Sequence, residues 1–63
     1  MKRLAVERKN KGMTKSDLDF DLRIQPARIS TIENGRSLPY EPTKVKLENY
    51  FDMTIDQLLE EVE

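Results

Sequence analysis

The chain has 63 residues, of which 37% are charged and 37% hydrophobic, and a formal net charge of −1. At this length one domain with a small core is expected, and a large enclosed enzyme pocket is not. Cysteine and histidine are both missing, which excludes disulfides, thiolate or imidazole metal ligands, cysteine nucleophiles and histidine general bases, so the expectation is a non-enzyme without metal, cofactor or small-molecule ligand.

No stretch alternates apolar and polar residues for long enough to predict a strand, whereas several short stretches repeat at helical spacing between Gly, Pro and capping residues. This predicts an all-α domain of five helices. The first, over 2–11, places Met1, Leu4, Ala5 and Arg8 on one side, and Gly12 offers a left-handed stop before Met13 enters the core. Thr14 with Asp17 three residues on caps a second helix over 15–22, whose Leu18 and Leu22 face inward. A three-residue turn over 23–25 leads to Pro26, which suits the first position of a helix because the N–H it lacks would be unpaired there. The third helix, over 26–34, buries Ile29 and Ile32 and stops at Asn34-Gly35. Pro39, Tyr40 and Pro42 describe a loop, and a fourth helix over 43–51 is anchored by Leu47, Tyr50 and Phe51. Thr54 with Gln57 caps a fifth helix whose stripe is Ile55, Leu58, Leu59 and Val62. Beyond it Glu60, Glu61 and Glu63 are expected to fray. Charge interrupts the N-terminal apolar residues and no run reaches membrane-spanning length, so a soluble, cytoplasmic protein is expected, with no membrane partner.

The charge is unevenly distributed. Residues 1–36 hold nine Lys or Arg against five acids, while residues 37–63 hold two against seven. Such asymmetry fits a basic half that meets an anion, although solvated helix faces give the same count. Two short helices joined by a tight turn, the second opening with polar residues and flanked by basic ones, suit placement of one helix in the DNA major groove. The spacing alone is weak, because many small bundles contain such a pair.

The residues sharpen it. Gly12-Met13-Thr14-Lys15-Ser16-Asp17-Leu18, then Ile29-Ser30-Thr31-Ile32-Glu33-Asn34-Gly35-Arg36, then Thr54-Ile55-Asp56-Gln57-Leu58-Leu59 resemble the Cro and cI-type (XRE-like) helix-turn-helix family, without a gap over nearly the whole chain. The resemblance implies a five-helix lambda-repressor-like domain with its helix-turn-helix at about 14–34. It implies a regulator, most simply a small Cro-like repressor of a phage or mobile element, binding double-stranded DNA as a homodimer. Lys15 matches a position that contacts backbone phosphate. Gln25 matches the polar cap of the recognition helix, and Pro26, Ala27, Arg28 and Thr31 match its groove-facing positions, with Ser30 secondary. Arg28 is the strongest base reader, since its fork pairs with guanine O6 and N7 or clamps a phosphate. Asn34, Gly35 and Arg36 match a phosphate-holding loop, although Asn-Gly is also an ordinary helix stop. Arg8 and Glu33 match a buried salt bridge that ties the first helix to the recognition helix. Ile55, Leu58, Leu59 and Val62 fall in the region that supplies the family's dimer contact.

Several residues depart from the family pattern. Asp19 replaces a small residue where the two helices touch, so either the helices stand further apart or Asp19 caps the recognition helix. Arg23 stands where a left-handed backbone usually recruits Gly. Glu7 and Glu48 take positions that are often apolar, and Phe20 falls on a face usually exposed, so it is expected to tuck under a neighbour unless it meets a partner. Pro26 has no side-chain hydrogen bond to offer a base. The rival reading is a protein-interaction module, antirepressor or antitoxin-like, on a helix-turn-helix scaffold.

Overall fold

Capping residues and left-handed stops divide the chain into five helices in the computed structural model, which describes residues 1–62. They are α1 (Arg3–Asn10), α2 (Lys15–Leu22), α3 (Arg28–Glu33), α4 (Glu41–Phe51) and α5 (Ile55–Leu58). The described residues form no strand, only an isolated antiparallel bridge between Lys2 and Glu61. The all-α expectation holds.

Two of the expected caps are present in full. The Thr14 hydroxyl accepts from the Asp17 amide at 3.0 Å while the Asp17 carboxylate accepts from the Thr14 amide at 2.9 Å. That amide holds the Asp17 carboxyl below its ordinary value of 3.8. Thr54 and Gln57 make the same reciprocal pair at the start of α5.

The C-terminal stops of α1, α2 and α3 share one geometry. One of the first two residues after the helix turns left-handed, the first after α2 and the second after α1 and α3, and two amides reach back to the last carbonyls, as in Met13 to Arg8 and Gly12 to Lys9. Gly12 and Gly35 adopt the required φ of 71° and 74° without strain, but after α2 the position is Arg23 at φ 57°. A side chain with a Cβ is strained there. Arg23→Gly is therefore expected to raise stability by about 0.5–1 kcal/mol, the relief being partly offset by the freer unfolded chain. A higher denaturant midpoint at unchanged slope checks this.

Four boundaries differ from expectation. Helix α5 closes at Leu58, so Val62 lies beyond its expected stripe, where its amide donates to the Met1 carbonyl at 2.8 Å. Pro26 does not open a helix, because α3 begins at Arg28. Pro42 lies inside α4, which starts at Glu41 and accommodates the proline at its second position, where no helical partner is needed for an N–H. Glu60 and Glu61 do not fray. The Arg3 amide donates to the Glu60 carbonyl at 2.8 Å, and Lys2 Nζ pairs with Glu61 at 2.8 Å. Glu63 lies outside the described residues.

The core consists of Leu4, Leu18, Leu22, Ile29, Ile32, Leu47 and Leu58, with Met13, Tyr50, Phe51, Ile55 and Leu59 packed around it. Ala5 is buried as expected, but Met1 is 56% exposed and does not join the apolar face of α1. Full burial of each large aliphatic side chain stabilises the fold by about 1.5–3 kcal/mol. Glu48 sits at the α4–α5 junction for a polar reason: its carboxylate accepts from the Ile55 amide at 2.8 Å, satisfying a donor that α5 leaves open.

Candidate nucleic-acid interface

Helices α2 and α3 pack on one another across a connection formed by residues 23–27, longer than the three residues expected. The extra length is a β-turn. The Arg28 amide donates to the Gln25 carbonyl at 3.2 Å, and Ala27 has φ 67° and ψ 6°. Proline at the second place and a left-handed third residue are the marks of a type II turn, which prefers Gly where Ala27 stands. Pro26 is thus recruited by the turn rather than by the helix.

Asp19 replaces the missing helix cap. Its carboxylate is buried, 5% exposed, and accepts from the Ala27 amide at 3.0 Å and the Ile29 amide at 2.9 Å. A carboxylate from α2 therefore satisfies two open donors at the positive end of α3 and fixes the angle between the helices. Of the two roles left open for Asp19, capping is the one adopted.

The Arg8–Glu33 bridge is also present. Arg8 Nε lies 2.9 Å from Glu33 Oε2 and Nη2 lies 3.3 Å from Oε1, with side-chain exposures of 7% and 5%. Arg8 Nη1 donates to the Met13 carbonyl at 2.7 Å, so one guanidinium joins α1, the loop before α2 and the end of α3.

Around this frame, Lys15 is exposed at the start of α2, and Gln25, Pro26 and Ala27 are exposed in the turn. Arg28, Ser30 and Thr31 are half-buried on α3, and Asn34 and Arg36 are exposed beyond it. The Thr31 hydroxyl is turned back onto the Ala27 and Arg28 carbonyls, at 3.0 and 2.9 Å. Asn34-Gly35-Arg36 form the stop of α3, with the Arg36 amide reaching the Thr31 carbonyl at 3.0 Å. Leu58 is wholly inside the core, whereas Ile55, Leu59 and Val62 keep part of their surface. Phe20 does not tuck under a neighbour. It is 82% exposed, beside Ile24 and Pro26, because the inward positions of α2 are already filled by Leu18, Asp19 and Leu22.

Net charge alone hides the electrostatics of this half. All five of its acids are engaged: Glu7 with Arg3, Asp17 and Asp19 with backbone amides, Asp21 with the Tyr50 hydroxyl, and Glu33 with Arg8. Among the described residues, Lys15, Arg23, Arg28 and Arg36 have no carboxylate partner. Only Glu7 and Glu33 are neutralised by arginines, whereas Asp17, Asp19 and Asp21 keep their charge on neutral donors, so four unpaired cations against three carboxylates leave the surroundings of α2 and α3 weakly positive, which favours a polyanion. The described residues contain no group of three acids able to hold a metal ion, and no helix long and apolar enough to cross a membrane.

One contributor had no signal in the sequence. Tyr40 closes over the start of α3, with the Arg28 guanidinium 5.3 Å from the centre of its ring, in a cleft of about 310 Å³ that Arg23 and Gln25 also line. A single aromatic in a proline-flanked loop shows no periodicity that would have marked it.

A short helix carried on a second one, with base-sized polar and basic side chains at its leading edge and free cations around it, is the DNA-binding unit of a transcriptional regulator. The helix-turn-helix family model matches residues 4–58, and the chain belongs to this family, in its Cro and cI-type (XRE-like) form. Comparisons with curated proteins and with solved structures find no match.

Proposed function

We propose that the 63 residues act as one domain and repress transcription by binding an operator as a homodimer, with one recognition helix per subunit in the major groove. What carries this reading is the set of cations around α2 and α3 that have no carboxylate partner, Lys15, Arg23, Arg28 and Arg36. Lys15, Asn34 and Arg36 hold the phosphate chain, and Arg28 reads a base edge, with Gln25, Pro26, Ala27, Ser30 and Thr31 lining the contact. Half-sites would lie about one helical turn, roughly 34 Å, apart.

Salt dependence tests the phosphate assignment. With Lys15 and Arg36 as the two cations per subunit on phosphate, four in the dimer, log affinity is expected to fall with log salt at a slope of about −3.6. Lys15→Ala should shallow that slope without altering sequence preference. Affinity that does not respond to salt would remove the assignment. For the dimer, the partly open Ile55, Leu59 and Val62 provide the contact, Leu58 supporting them from inside. Sedimentation showing only monomer, free and with DNA, would contradict it.

A second reading has one observation in its favour, the exposed Phe20 beside Ile24 and Pro26. A protein-interaction module would use that patch and leave DNA unbound even at low salt.

A further inference from the structure

We infer that Tyr40 is a positioning residue for base readout: its ring holds the Arg28 guanidinium in the orientation in which Arg28 meets DNA. The inference rests on the proposal that Arg28 reads a base. Arginine recognises guanine through two parallel N–H bonds, so the plane of its fork must be set before contact, or the ordering is charged against binding. Two neighbours contact the guanidinium here. Gln25 Oε1 accepts from Arg28 Nη2 at 3.1 Å, and the Tyr40 ring lies under the guanidinium carbon at 5.3 Å. Arginine carries five N–H donors, and Gln25 occupies one, leaving the rest for a ligand. A cation held over an aromatic face uses none of them.

The backbone that carries the ring is fixed. Tyr40 is the N-cap residue of α4, with extended backbone at φ −64° and ψ 160°, and its carbonyl accepts from the Lys44 amide at 2.8 Å. Pro39 and Pro42 stiffen the chain on either side. Tyr40 is nevertheless 68% exposed, so burial does not account for its placement. No carboxylate among the described residues pairs with Arg28, so Tyr40 and Gln25 orient the charge without neutralising it.

The test measures binding of the wild type, Arg28→Ala, Tyr40→Ala, Tyr40→Phe and the Arg28→Ala/Tyr40→Ala double variant. The DNA is the best sequence selected from a random pool, together with its single base-pair substitutions. Tyr40→Ala is expected to reduce discrimination about two- to fivefold, at the same base pair that Arg28→Ala affects. Tyr40→Phe should match the wild type, and Tyr40→Ala should add nothing once Arg28 is gone. Uniform weakening at every base pair, a Tyr40→Phe defect equal to Tyr40→Ala, or additive losses would overturn the inference, since each makes Tyr40 a DNA contact in its own right. Proton NMR without DNA separates the two levels of the claim. The ring should shift the Arg28 side-chain resonances upfield, and Tyr40→Ala should abolish that shift. Its absence in a protein that still binds DNA overturns the positioning role alone. Its presence in a protein that binds no DNA overturns the DNA reading and the positioning role with it.

Discussion

Arg8→Ala is expected to lower folding stability by about 3–5 kcal/mol, because it leaves the Glu33 carboxylate buried without its partner. For a domain of this size total stability is on the order of 3–9 kcal/mol, so this one change removes a third or more of it and leaves part of the population unfolded at 25 °C. The loss is not only electrostatic. Arg8 Nη1 also holds the Met13 carbonyl, so the loop before α2 loses an anchor. The double variant Arg8→Met/Glu33→Leu should cost less than Arg8→Ala alone, since no buried charge is stranded. Guanidinium denaturation of the three proteins checks this. Arg8→Ala within 1 kcal/mol of the wild type would mean that Glu33 finds water when its partner is removed.

Asp19→Ala carries the second large effect, with a smaller stability cost but a more direct consequence for the interface. It removes the acceptor for two amides, Ala27 and Ile29, one of them buried, and should destabilise the fold by about 2–3 kcal/mol. Ala27 is held at a positive φ that alanine does not favour, and the Asp19 carboxylate is what holds its N–H. Without it the turn before α3 is expected to relax, and DNA affinity should fall further than the Lys15→Ala variant shows. Asp19→Asn should rescue only part of the loss, because an amide offers one acceptor oxygen to two donors. Denaturation and DNA titration of both variants decide it. Wild-type stability for Asp19→Ala would show that water replaces the cap at no cost.

The parts of the fold that sequence made legible are those written in local chemistry. Thr14 with Asp17, Thr54 with Gln57, and the glycines at 12 and 35 each act within a few residues, so their spacing alone marks the helix ends. The apolar periodicity of Leu18, Leu22, Ile29 and Ile32 is likewise local. Pro26 was misleading because a proline serves the second place of a type II turn as well as the first place of a helix, and only the Arg28 to Gln25 hydrogen bond separates the two. A large aromatic such as Phe20 suggests burial, whereas the inward face of α2 has no room left for it. The pairing of Glu60 and Glu61 with the first residues joins opposite ends of the chain, and Tyr40 on Arg28 joins a loop to a helix twelve residues earlier. Contacts between elements leave no periodic trace. The resemblance to a helix-turn-helix family located the interface and the Arg8–Glu33 bridge, while the pairing of Asp21 with the Tyr50 hydroxyl, 29 residues away, needed three dimensions.

Selection of bound sequences from a random double-stranded DNA pool at low salt tests the central claim most directly. The expected result is enrichment of a two-fold symmetric site with half-sites about one turn, roughly 34 Å, apart, whose preferred bases change with Arg28→Ala. A pool that stays random through successive rounds would contradict it, and would leave the exposed Phe20 surface as the better guide to what this protein meets.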